Sequence, residues 1–319
     1  MSDATPPGNV PALPEKPQRS KTPWIVGIAV VAVLAIAGGV FAAVGAGNSG
    51  SADAAGKAVT VKIGTTEQSA PYWPILKREA AKEGIDIQVV GFRDYTQANP
   101  ALADGQLDLN LFQHLQFLAN YNVESGQNLV PIASTYVVPL SLYSKKHASL
   151  DALPDGAKVA IPNDPTNQAR ALLVLQKAGL LTLRNGGTTL STPADIDAAA
   201  SKVTMLPVDA AQTAPALDSA DAAVINNTFV GPAGIDPKSA LFQDDPKSSA
   251  AEPYINAFVA RAADKDDKTY LKIAELYHTT AVQEAVLADS KNTAVLVQKP
   301  QADLIAILRS LEKSIRAAK

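Results

Sequence analysis

The sequence predicts an α/β protein of two lobes carried behind one apolar segment, and three observations lead there. Strand-like runs alternate with helix-like ones from residue 59 onward. That alternation lasts about 260 residues, more than one small sheet accommodates. A stretch at 24–46 without a single charge precedes it.

The elements follow in chain order. Residues 1–23 hold prolines at positions 6, 7, 11, 14, 17 and 23. Such a segment buries too little apolar surface to order itself, so it reads as a disordered tail. The run at 24–46 rises about 1.5 Å per residue as a helix and reaches roughly 30 Å, the span of a bilayer core. Trp24 stands at its edge, where an indole favours the headgroup region. The competing reading is a cleaved signal peptide. Against it stand the length of the run, beyond the usual apolar core of about 7–15 residues, and the long proline-rich tail before it. Lys16, Arg19 and Lys21 precede the run and the next basic residue is Lys57, which places the tail in the cytoplasm and the rest outside. Residues 47–57 are a small-residue flexible spacer.

Beyond the spacer, 59–64 alternates as a strand and 72–83 reads as a helix stopped by Gly84. Strands are expected at 85–90, 107–112, 158–161, 203–207, 222–225 and 255–260, with extended chain at 129–136 and 139–144. Helices are expected at 99–104, 113–120, 166–177, 267–290 and 301–318. Strands interleaved with helices indicate parallel sheets covered on both faces, whose ligands sit at the carboxyl ends of the strands.

Composition narrows the function. A net charge of −3 argues against a nucleic-acid partner. The absence of cysteine removes disulfides, thiolate metal sites, a cysteine nucleophile and a lipid-modified cysteine together. Three scattered histidines (114, 147 and 278) do not suggest a zinc site. No Ser-His-Asp arrangement, GxSxG elbow, HExxH or paired catalytic carboxylate stands out, so binding leads catalysis and no cofactor is expected.

Three constellations are candidates. At 159–176 a strand ends in a Pro-Asn-Asp-Pro-Thr-Asn loop that opens a helix. Asp164 or Thr166 suits its cap and Pro165 its first turn. The helix start offers an anion locus, and Arg170, one turn in, can add a bidentate guanidinium to a carboxylate. An ordinary helix start with a solvated arginine fits the same spacing. The second constellation gathers Phe92, Tyr95, Phe112, His114 and Phe117 in a chain with only 5% aromatic residues. Aromatic walls suit an apolar or thioether side chain, although Phe92 reads better as core. The third is a strand ending in Asn226 and Asn227, whose amides can meet a ligand ammonium or carboxylate, or can cap a helix.

At these residues the sequence resembles the methionine-binding, NlpA-type substrate-binding proteins of ABC importers, over roughly residues 59–319. The resemblance rests on Lys-Ile-Gly-Thr-Thr at 62–66, Asp94-Tyr95, Asn-Leu-Phe-Gln-His at 110–114 and Tyr-Ser-Lys-Lys at 143–146. It rests further on the run 153–167 followed by Arg170, on Val-Ile-Asn at 224–226 and on Tyr-Ile-Asn at 254–256. It implies a periplasmic-binding-protein fold of type II, with two α/β lobes joined by two crossover strands near 137–142 and 254–260. One lobe would comprise 58–139 and 255–319, the other 140–254. It also implies that Arg170 holds an amino acid's carboxylate, that Asn226 and Asn256 bind its polar end, and that Tyr95, Phe112, His114 and Phe117 line the side-chain pocket. The implied partners are methionine and an ABC permease with its ATPase.

This chain departs from the resemblance in three places. Tyr72-Trp73 follows Pro71 where relatives carry Pro-His, Phe117 stands where Tyr is common, and the 24–46 segment replaces a lipidated cysteine. The first two leave open another apolar amino acid, a D-enantiomer or a small peptide as ligand. A surface enzyme or a scaffold displayed on the anchor is the rival from another class.

Overall fold

The structure is a computed structural model and describes residues 58–319. The tail at 1–23, the apolar run at 24–46 and the spacer at 47–57 lie outside the described residues. Among the described residues no helix is long and apolar enough to cross a membrane.

The chain opens with β1 (Val59–Thr65), α1 (Tyr72–Lys82), β2 (Ile85–Gly91) and α2 (Ala98–Ala103). It continues through β3 (Leu109–Asn110), α3 (Leu115–Ser125), β4 (Val130–Ser134) and β5 (Tyr136–Val137). A second set follows: β6 (Ser141–Tyr143), β7 (Ala157–Pro162), α4 (Pro165–Lys177), β8 (Val203–Val208), α5 (Thr213–Ala216), β9 (Ala222–Ile225), α6 (Asn227–Val230) and β10 (Phe242–Gln243). The chain then returns as β11 (Ala257–Ala260), α7 (Lys268–Tyr277), α8 (Thr280–Asp289), β12 (Val295–Leu296) and α9 (Gln301–Ala317).

These elements build two five-stranded sheets, ordered β2-β1-β3-β11-β4 and β10-β6-β9-β7-β8. Each buries both faces, and the period-two alternation of its strands shows it. In the first sheet Phe258 and Ala260 join the core under α1, α7 and α8, while Ala257 and Val259 join the opposite core with Leu118, Leu304 and Leu308. In the second, Leu142, Val159, Ile161 and Val224 face Leu172 and Leu175 of α4, whereas Tyr143, Ala160, Ala223 and Ile225 face Leu217. Such two-sided burial makes near-continuous apolar strands.

The sheets are mixed rather than purely parallel. β1 runs parallel to β2 and β3, but β11 is antiparallel to β3 and β4; β6 is likewise antiparallel to β9 and β10. The chain leaves the first sheet after β4, pairs β5 with β12 in a separate two-stranded sheet, and returns to the first sheet as β11, antiparallel to β3 and β4. β6 enters the second sheet where β9 ends.

Two element boundaries differ from expectation. The span 267–290 is not one helix but two, broken at His278 with Thr279 leading into α8. The span 107–112 forms a strand only at Leu109–Asn110, although the flanking Asp108 and Leu111 amides still donate to the Lys62 and Gly64 carbonyls of β1. α1 behaves as its pattern requires: Tyr72, Trp73, Leu76 and Ala80 bury one stripe, and Gly84 takes a left-handed φ of 70° beyond its end.

Candidate ligand-binding site

Strand order brings the carboxyl ends of β1, β2, β3, β7 and β9 to one place between the two sheets. They line a cleft between the two sheets, the placement expected of a ligand site in such a fold. Tyr95, Phe112, His114, Phe117, Arg170, Asn226 and Asn256 all line it, whereas Phe92, Asp164 and Thr166 do not. Glu67, Gln113, Tyr136, Val138, Asn167, Asn227 and Thr228 line it as well.

Arg170 is not the solvated arginine of the alternative reading; it is 4% exposed. Its Nε donates to Asp244 Oδ2 at 2.7 Å and its Nη2 to the Val138 carbonyl at 2.9 Å. The guanidinium carbon stands 4.1 Å over the Tyr254 ring. Three supports therefore fix the plane of the guanidinium, and among the described residues Nη1 has no protein acceptor. A fork held in this way is preorganised for a carboxylate.

The start of α4 differs from the expected open anion locus. Asp164 caps the helix, accepting from the Asn167 amide at 3.0 Å and from Thr166 Oγ1 at 3.0 Å. An anion already occupies that helix end, which leaves the carboxylate-binding task to Arg170. Burial raises the Asp164 carboxyl pKa, while the hydrogen bonds from Asn167 and Thr166 oppose the shift. Asp164→Ala is expected to cost about 1–2 kcal/mol of stability, read as a lower melting temperature.

Asn167 is the junction of the site and only 2% exposed. Its Nδ2 donates to both Asp164 oxygens at 3.1 Å, so its Oδ1 must point into the cavity. There Oδ1 accepts from Asn226 Nδ2 at 2.7 Å and faces His114 Nε2 at 3.4 Å. Donating through Nδ2 turns the Asn226 Oδ1 outward; that atom is buried and has no partner among the described residues. Asn256 is less free than the resemblance implies, since its Nδ2 reaches the Tyr136 and Tyr254 carbonyls at 3.3 and 3.5 Å.

His114 caps α3, its Nδ1 accepting from the Phe117 amide at 3.1 Å. That acceptor role puts the proton on Nε2, which is then the donor toward Asn167. Burial, with the nearby Arg170 charge, pushes the His114 pKa down to about 3. The ring is thus a neutral strut rather than an acid or base. Because the unfolded chain takes up this proton near pH 6.5 and the folded one does not, stability falls as pH drops from about 6.5 toward 3, by up to about 1.4 kcal/mol per pH unit. Melting curves of His114→Asn, which retains a capping side chain, should lose that component of the acid slope.

The aromatic wall is a packed cluster. Tyr95 lies 6.1 Å from Phe112, 6.0 Å from Phe117 and 5.4 Å from Phe229 between ring centroids. Phe112 meets Phe117 edge-on at 5.8 Å. Phe229 comes from α6 on the second sheet, so the cluster closes across the cavity. Beneath it a buried network holds the 110–114 segment: Asn99 Nδ2 donates to Gln113 Oε1 at 2.7 Å and Asn110 Nδ2 to Asn99 Oδ1 at 2.9 Å. Among the described residues no group of three or more His, Asp or Glu is arranged to hold a metal.

Sequence reasoning missed Glu67, Tyr136, Asn167, Thr228, Phe229, Asp244 and Tyr254 as site residues. Asn167 and Tyr254 sat inside the singled-out motifs and were legible there. Asp244 was not, because nothing local distinguishes it from a surface aspartate.

Comparison with known proteins places the chain in a family. The family model for NlpA lipoproteins matches residues 61–297. A protein of Haemophilus influenzae named as a probable D-methionine-binding lipoprotein MetQ is 38% identical over 238 residues, covering 73% of this chain and 86% of the relative. The substrate-binding protein of a methionine transporter from Streptococcus pneumoniae superposes with a TM-score of 0.70 at 37% identity, covering 75% of this chain and 95% of that one. A nutrient-binding protein from Burkholderia cenocepacia, solved bound to methionine, gives 0.69 at 36% identity, with 74% and 99% covered. With the model matching most of its length, the chain belongs to the NlpA lipoprotein family.

Proposed function

We propose that this chain is the extracytoplasmic, membrane-anchored substrate-binding protein of an ABC importer and that it takes methionine, as the L- or D-form, between two lobes. The observation that carries this reading is the pairing of a fixed, partly unspent Arg170 with an aromatic wall in one cavity. In this reading Arg170 Nη1 holds the carboxylate and Asn226 Oδ1 accepts from the ammonium. Asn256 lines the polar end, and Tyr95, Phe112, Phe117 and the flank of His114 surround the thioether. Burying that side chain contributes about 1.5–3 kcal/mol, and sulfur is favoured at ring edges.

The lobes are 58–139 with 255–319, and 140–254. They close about the crossovers, where Arg170 binds the Val138 carbonyl and Asn256 the Tyr136 carbonyl. Closure presents a loaded face to a permease and its ATPase, and no covalent step is needed. The fold is that of a periplasmic binding protein of type II. The apolar run at 24–46 serves as the anchor in a chain without cysteine, leaving the binding domain outside the membrane.

Mass spectrometry of small molecules released when the purified protein is denatured tests this reading. Methionine in near-stoichiometric amount is the expected result. A different class of molecule, such as a sugar or a nucleotide, would reject it.

A further inference from the structure

Glu67 is unusual among the residues around the cavity. It is the one carboxylate there, and Arg170 the one guanidinium, among the described residues. It sits in the turn after β1 and is held from several sides. Its amide donates to Thr65 Oγ1 at 3.0 Å, and its carbonyl accepts from Trp73 Nε1 at 2.9 Å. The carboxylate reaches across the cavity: Oε1 accepts from Thr228 Oγ1 of α6 at 3.0 Å, and Oε2 from the Tyr136 hydroxyl at 3.0 Å. A carboxylate offers about four acceptor positions, so roughly two remain.

A second observation points to the same ligand group. Asn226, two residues before Thr228, has its Oδ1 buried and without a partner among the described residues, in a side chain 9% exposed. An orphaned buried acceptor and a half-satisfied carboxylate lining one cavity call for a ligand that brings donors and positive charge. The fixed Arg170 cation lines the same cavity. A lining with one fixed cation and one carboxylate is the complement of a zwitterion.

We propose that Glu67 is the ammonium-recognising charge of this cavity and makes it selective for ligands bearing a free, protonated amino group. The inference rests on the amino-acid-binding reading and adds its specificity. Burial, with Asp289 nearby, raises the Glu67 pKa in the unliganded protein, and a ligand ammonium relieves that penalty by supplying the missing counter-charge. The Thr228 hydrogen bond then ties charge recognition to closure, because the same carboxylate bridges the two sheets' elements.

The test is calorimetric titration of the full-length protein in detergent with methionine and with its desamino analogue, 4-(methylthio)butanoate. Wild type should prefer methionine strongly. Glu67→Gln keeps an acceptor for Thr228 but removes the charge, and should weaken methionine roughly ten- to hundredfold while leaving the analogue's affinity nearly unchanged. Glu67→Asp keeps the charge and should retain most of the preference, which guards against reading a folding defect as recognition. Thr228→Val, which breaks the bridge alone, should lower both affinities together and preserve their ratio. A wild-type ratio in Glu67→Gln overturns the role of Glu67 alone. A wild-type protein that binds no amino acid overturns this proposal and the binding reading with it.

Discussion

Arg170→Met weakens methionine binding by roughly one to four orders of magnitude while the protein still unfolds in one cooperative transition. The expectation follows from how the guanidinium is held. Asp244, the Val138 carbonyl and the Tyr254 ring fix it before any ligand arrives, so little side-chain entropy remains to be lost on binding. Removing one partner of a buried, hydrogen-bonded charge pair costs about 2–5 kcal/mol in binding, or between one and four orders of magnitude in Kd. The methionine side chain fills most of the arginine's volume, so the core is not emptied. Asp244 is left without its cation, but it is 19% exposed and keeps the Leu140 amide at 2.8 Å, which limits the loss of stability. Arg170→Lys should fall between, since a lysine restores charge but not the fork that reaches Asp244, Val138 and a ligand together. Affinity by calorimetry, set beside thermal melts of the same samples, separates the two effects.

Asn167→Ala is the second large effect, and it strikes stability and affinity at once. The substitution orphans Asn226 Nδ2 and His114 Nε2, both in buried positions. It also removes two donors from the cap carboxylate of Asp164. Each buried group left unpaired costs about 1–3 kcal/mol. Asn226 loses the contact that orients its amide, so its carbonyl no longer points reliably at the ligand. A lowered melting temperature together with a rise in Kd of at least about tenfold is expected. Unchanged affinity in a destabilised variant would show that Asn226 is oriented by something else.

Much of the fold was legible because local rules and tertiary packing agree in it. The stripe of Tyr72, Trp73, Leu76 and Ala80, the Gly84 stop and the Asp164-Pro165 helix start are all sequence-local signals, and each appears where its pattern places it. Strand direction was not legible. The antiparallel course of β6 and β11 arises from where the chain crosses between sheets, which periodicity does not encode. The single helix expected at 267–290 failed for a related reason: apolar spacing continues through His278, but the Thr279 N-cap restarts the helix on a new axis.

The site divides in the same way. Arg170, Asn226, Tyr95, Phe112, His114 and Phe117 were singled out by local pattern and Asn256 by resemblance, and all line one cavity. Their partners were hidden, because Asp244 lies 74 positions from Arg170 and Glu67 lies 161 from Thr228. His114 shows the limit most clearly. Sequence places it in the pocket, but only the structure shows both ring nitrogens engaged and the ring kept neutral.

In the proposed function the cavity binds methionine through a fixed cation and an aromatic wall. The most direct measurement is calorimetric titration of the full-length protein with L-methionine, D-methionine and leucine under one set of conditions. The account predicts saturable one-to-one binding of at least one methionine enantiomer, with leucine weaker because it lacks the sulfur that the rings of Tyr95, Phe112 and Phe117 favour. Equal affinity for leucine and methionine would contradict the thioether assignment, and no binding of either would contradict the account as a whole.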